Sequence, residues 1–163
     1  VGQLTHDSWH RIIETNLSGA FYAASALLSR LRKSGGDIVY ISSVAGVWPD
    51  HSGAAYGASK SGLIGFARGV GRDEYGNGIR VCTILPGIVN TPILDNRPEP
   101  PPQELRDLFV QPEDVAAVCM AAVLLPKRAS IAEITIVASR LQSMGNTQDA
   151  TPQIPPATAD RTH

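Results

Sequence analysis

Tyr56 and Lys60 stand four residues apart, a spacing that puts two helical side chains on one face with Cβ atoms about 5–6 Å apart. A free phenol ionises near ~10, and an ammonium beside it favours the phenolate and lowers that value. The pair can therefore give and take a proton, although an ordinary surface pair has the same spacing. Ser43 lies 13 residues upstream, after a short β-branched run, where a hydroxyl could hold a carbonyl or alcohol oxygen next to the phenol. Its neighbour Ser42 should point the opposite way, into the packing of the sheet. Alone, each serine reads equally well as a turn-former. Asn16 interrupts an amphipathic stretch among Ile12, Ile13 and Ala20. Its amide competes with helical backbone bonds, so it marks either a bent helix that holds a water or a tolerated polar position facing a loop. Pro86-Gly87-Ile88-Val89-Asn90-Thr91 follows an apolar run. Its backbone N–H groups and the Thr91 hydroxyl could bind an amide or phosphate oxygen, or it is a plain strand-ending turn.

The elements that must position these groups follow from periodicity. Apolar residues at Ile13, Leu17, Ala20, Ala24, Leu28 and Leu31 predict one helix over 8–33, capped by Asp7 or Ser8 and stopped by Gly35-Gly36. A strand is expected over 37–42, a loop over 43–53, and a second long helix over 54–75 that stops at Gly76-Asn77-Gly78. The run 79–85 alternates little, as a parallel strand covered on both faces should. Four prolines over 95–102 predict an extended loop. Pro112, with Glu113 and Asp114 behind it, starts a helix to about Leu125. A last strand is expected over 133–138, and a disordered Pro/Thr-rich tail from 141 to 163. Helices alternating with buried strands give an α/β layered parallel sheet in one domain, 1–140.

The 163 residues are 43% hydrophobic and 18% charged, with net charge −1 and no long basic run, which argues against nucleic acid as a partner. The longest apolar run, 115–125, is short of the ~20 residues that span a bilayer. No signal peptide opens the chain, and a cytoplasmic protein is expected. Cys82 and Cys119 sit in apolar runs as small hydrophobes. His6, His10, His51 and His163 have no metal-ligand spacing with either cysteine. Serine-hydrolase elbows and P-loops do not occur.

The order Thr15-Asn16-Leu17-Ser18-Gly19, Ile38–Gly46, Ala55-Tyr56-Gly57-Ala58-Ser59-Lys60 and Ile79–Gly87 resembles the short-chain dehydrogenase/reductase family over about residues 5–140. That resemblance implies a partial Rossmann-like, doubly wound parallel sheet flanked by helices. It implies Asn16, Ser43, Tyr56 and Lys60 as catalytic residues: Tyr56 as acid/base, Lys60 lowering its pKa and binding the nicotinamide ribose, Ser43 orienting the substrate oxygen, and Asn16 holding a water in a proton relay. Pro86, Gly87, Ile88 and Thr91, with Tyr56 and Lys60, would bind NAD or NADP. The substrate would be a small-molecule carbonyl or alcohol. The family's glycine-rich turn after a first strand has no counterpart here; Gly69-Val70-Gly71 closes a helix instead. The chain, opening on Val1, is therefore expected to be the C-terminal portion of a longer reductase, inactive alone and without appreciable dinucleotide binding. The closing Ala132–Arg140 resembles the branch acting on small alcohols and hydroxy acids. The loop 92–109 is expected to line an apolar substrate pocket with Leu94, Leu105, Leu108 and Phe109. Ala58, Gly62, Gly65 and Gly69 form a small-residue stripe that fits either a homo-oligomer through the two long helices or packing on the chain's own sheet. Gly65, Gly69 and Gly71 each cost the helix about 1 kcal/mol against Ala, so a compensating close contact is expected. The alternative function is a non-catalytic partner docking on an intact homologue; a sugar epimerase, which would need a further substrate domain, fits less well.

Overall fold

The computed structural model describes residues 2–48 and 52–141. The tail expected over 141–163 lies outside these residues save for Leu141, as does His51.

Helix α1, His6–Ile13, is capped by Thr5, whose hydroxyl accepts from the Ser8 N–H at 3.1 Å. It does not run on to Lys33 as a single helix. A π-helical turn, Glu14–Ser18, interrupts it, and α2 resumes over Gly19–Ser34. Gly35, at φ 64°, then turns the chain into strand β1, Gly36–Ile41. A 3₁₀ turn, Val44–Gly46, leads towards helix α3, Ala54–Glu74. A further 3₁₀ turn and left-handed Gly78 (φ 71°) stop α3 as the Gly-Asn-Gly sequence predicts. Strand β2, Ile79–Pro86, follows, then a 3₁₀ turn at Pro92–Asn96 and the single turn α4, Gln103–Arg106. Helix α5, Pro112–Val123, starts with a capping box between Gln111 and Asp114. Strand β3, Glu133–Ile136, is shorter than the run 133–138.

The three strands form one parallel sheet in the order β1-β2-β3, a partial Rossmann-like sheet with helices on both faces. Register pairs Ile38 with Val81 and Val39 with Cys82, so alternate residues feed opposite layers. Ile38, Tyr40 and Val81 pack with Leu17, Ala20, Leu63 and Ala67 under α2 and α3. Val39, Cys82 and Ile84 pack with Val115, Val118 and Ala122 under α5. β2 is thus covered on both faces, which explains its unbroken apolar run. Of the two thiols, Cys82 is buried and Cys119 half-buried, and both are free.

In the loop after β2 the apolar residues Leu94, Leu105 and Phe109 are buried and form a small core with Ile88, against which Leu141 packs. Burying them against one another removes their apolar area from water without any ligand.

Candidate functional site

The carboxyl ends of the strands gather the residues that could do chemistry. Ser43 lies two residues beyond the end of β1. It is extended and buried, and its hydroxyl accepts from the Ala45 N–H at 3.1 Å, capping the 3₁₀ turn. That turn presses on the first turns of α3: a Cβ on Gly57 would lie 3.3 Å from the Ala45 carbonyl, and one on Gly46 would lie 2.9 Å from Lys60 backbone. A side chain at Gly46 would force the turn away from the helix, and one at Gly57 would need the Ala45 carbonyl to yield by a few tenths of an ångström.

Tyr56 and Lys60 share one face of α3, and the Lys60 Nζ lies 5.7 Å from the centre of the Tyr56 ring. That is cation–π range. Lys60 Nζ also donates to the Ile41 carbonyl at the end of β1, 3.0 Å away. Burial pushes the Lys60 ammonium below its ordinary value of 10.5. Tyr56 is half-buried and borders a cleft of about 270 Å³ lined by Gln3, Leu4, Ile12, Ser52 and Gly53 as well.

Ser42 turns inwards as alternation requires, but it does more than pack. Its hydroxyl donates to the Lys60 carbonyl at 2.9 Å, tying β1 to α3 one residue before Ser43. Asn16 sits in the π-helical turn that interrupts the helix. Its amide does not face a loop; Nδ2 donates to Ser59 Oγ at 3.0 Å, and Ser59 in turn donates to the Tyr56 carbonyl at 2.7 Å. Sequence reasoning assigned nothing to Ser59. The available signal was a polar residue in the apolar ladder Ala55, Leu63 and Ala67 along α3.

Across the sheet, Pro86 is the buried last residue of β2. The Gly87 N–H donates to the Ile136 carbonyl and the Asn90 N–H to the Val110 carbonyl, both at 2.8 Å. These two groups are committed to the fold and so are not offered to a ligand, as in a strand-ending turn. In the rest of the loop Val89 bridges Val110, and the half-buried Thr91 hydroxyl makes no capping bond to the turn it heads. The structure therefore brings Asn16, Ser43, Tyr56 and Lys60 around the start of α3, and places the Pro86–Thr91 loop beyond the end of the adjacent strand. Among the described residues no group of His, Cys, Asp and Glu could hold a metal ion. No helix among them is long and apolar enough to cross a membrane.

A parallel sheet covered by helices on both faces is a Rossmann-like fold. The short chain dehydrogenase family model matches residues 1–101, and the chain belongs to that family. It is 34% identical over 123 residues to the 2-dehydro-3-deoxy-L-rhamnonate dehydrogenase (NAD(+)) of a Sphingomonas strain, covering 71% of this chain and 49% of that protein. It is 38% identical over 90 residues to the 3-oxoacyl-[acyl-carrier-protein] reductase FabG of Salmonella typhimurium, covering 55% of this chain and 37% of the reductase. Among solved structures, a 4-hydroxyisoleucine dehydrogenase complexed with NADH superposes with a TM-score of 0.67 at 26% identity, over 83% of this chain and 60% of its own. The chain thus spans about half the length of the curated relatives it matches, or less.

Proposed function

We propose that this chain carries the proton-transfer half of an NAD(P)-dependent oxidoreductase that interconverts a carbonyl and an alcohol. The observation that carries this reading is the Lys60 ammonium 5.7 Å from the Tyr56 ring centre, with Ser43 heading the turn packed against the same stretch of helix. In the reducing direction the Tyr56 O–H delivers its proton to the substrate oxygen as the carbonyl carbon gains a hydride. The Ser43 hydroxyl holds that oxygen, and the Lys60 positive charge stabilises the phenolate left behind. Alcohol oxidation runs through the same groups in reverse. A bound nicotinamide, as NAD or NADP, supplies or accepts the hydride.

The donor set fits that cofactor. One of the three Lys60 N–H bonds goes to Ile41, which leaves the others for ribose hydroxyls. Tyr56 would stand beside them, while the Ile88 backbone and the Thr91 hydroxyl would meet the carboxamide or pyrophosphate at the end of β2. Asn16 holds a water that connects Lys60 to solvent. The cleft beside Tyr56 receives a small alcohol or hydroxy acid, a choice supported by the sugar-acid relative and by the closing segment after β3.

The exposed side of the helical layer supports a homo-oligomer through α2 and α3. Phe21 and Tyr22 are 50% and 55% exposed, and nothing lies within 4 Å of a Cβ built on Gly65 or Gly69. A second reading, a non-catalytic partner of an intact homologue, draws on β1, which pairs only with β2 among the described residues.

Activity is tested in the complete protein by following nicotinamide absorbance with a panel of small hydroxy ketones and hydroxy acids. Ser43→Ala should lower kcat by about 10²-fold or more, the loss expected when a donor aimed at developing charge is removed. Undiminished turnover in that variant contradicts the role given to Ser43, and no turnover on any member by the unmodified protein favours the docking role.

A further inference from the structure

Ser59 is 0% exposed and uses its hydroxyl twice. It donates to the Tyr56 carbonyl at 2.7 Å, the ordinary back-bond of a helical serine, which satisfies its proton. The lone pair then accepts from Asn16 Nδ2 at 3.0 Å, a partner 43 residues away in the π-helical turn. The same turn touches α3 again one helical turn on, where a Cβ on Gly62 would come within 2.9 Å of Leu17 Cδ2. A π-helical turn breaks the regular backbone ladder and often marks a functional position. Here it is clamped to α3 by packing at Gly62 and by a directional bond at Ser59, in the turn that bears Tyr56 and Lys60.

We infer that Ser59 is a positioning residue for the proposed reaction: its hydroxyl fixes the Asn16 amide, and through it the π-helical turn, relative to Tyr56 and Lys60. The inference rests on the oxidoreductase reading. With the amide committed to Ser59, the register between the two helices is set by a bond of fixed length, and the relay from Lys60 through Asn16 keeps one geometry.

A double-mutant cycle in the complete enzyme with its cofactor tests this, with Ser59→Ala and Asn16→Ala read on kcat and KM. Ser59→Ala should lower kcat roughly tenfold, as a sub-ångström misplacement does, and leave KM within about twofold. In the Asn16→Ala background it should change kcat no further, because the hydroxyl acts through that amide. Ser59→Cys, which keeps the volume and weakens both bonds, should give an intermediate kcat; it serves for the cycle where Ser59→Ala does not fold. An unchanged kcat, or losses that multiply across the two sites, overturns the inference. Tyr56→Phe measured alongside separates the two levels. Full activity in Tyr56→Phe removes the oxidoreductase reading and this inference with it. Inactivity there, combined with independent effects of Ser59 and Asn16, removes only the inference.

Discussion

Burial of the Lys60 ammonium beside an aromatic ring has a thermodynamic signature. Its proton is held less tightly in the folded protein than in the unfolded chain, where the value is the ordinary 10.5. Between the lowered value and 10.5 the unfolded state binds more protons, so stability rises with pH across that window. Chemical denaturation at a series of alkaline pH values should show this rise, and Lys60→Met should flatten it. Tyr40 gives a second prediction. Its hydroxyl is buried and has no hydrogen-bond partner among the described residues, while its ring packs edge-on to Phe66 at 5.8 Å. Tyr40→Phe keeps the ring contact and relieves the unpaired hydroxyl, so unfolding free energy should rise by about 1 kcal/mol. At this scale much was legible in the sequence. The i, i+4 spacing of Tyr56 and Lys60 places both on one helix face whatever the rest of the chain does. Alternation along β1 likewise predicted that Ser42 turns inwards. Ser59 was not legible as a clamp, because its second partner is fixed by how two helices pack and not by any local spacing.

Elements are held in place by charged groups that periodicity does not reveal. Arg80 on β2 donates to Asp37 on β1 at 2.6 Å and to the carbonyls of Val123, Leu125 and Ala129 at 3.0, 3.0 and 2.8 Å. One side chain thus joins two strands to the C-terminal end of α5, where helix carbonyls lack internal partners. The planar guanidinium fork reaches these partners from three separate nitrogens, whereas a lysine gathers its donors on one. Arg80→Lys should therefore lower Tm by several degrees in a thermal melt, without altering the groups around Tyr56. On the opposite layer Arg32 pairs with the buried Glu74 and holds its carboxyl below the ordinary value, so α2 and α3 are joined at their C-terminal ends. Strand and helix positions were read to within a few residues because burial imposes their periods. The break at Glu14–Ser18 was not, since the apolar spacing continues through it and only Asn16 hinted at a bend. The apolar residues of 92–109 could not be assigned from hydrophobicity alone: the same side chains suit a substrate wall or a private core, and the fold uses Leu94, Leu105 and Phe109 as core.

Among the described residues the molecule is a three-stranded parallel sheet with β1 and β3 at its edges, and the chain matches about half the length of its curated relatives or less. An unpaired parallel edge such as β1 invites further pairing. Gly62 is explained by its approach to Leu17, whereas Gly65 and Gly69 have no neighbour that would need their small size. The close contact expected to compensate those two glycines does not come from the described residues of this chain, which is why a second copy is the proposed occupant. The oxidoreductase reading depends on the Tyr56 phenol exchanging a proton with the substrate oxygen beside the Lys60 ammonium. The most direct measurement is steady-state turnover of the complete enzyme carrying Tyr56→Phe, which removes a single oxygen and leaves the ring over Lys60. The account predicts that kcat falls by about 10²–10⁴-fold, the usual contribution of a general acid, while the cofactor still binds. Turnover at the unmodified rate would contradict it.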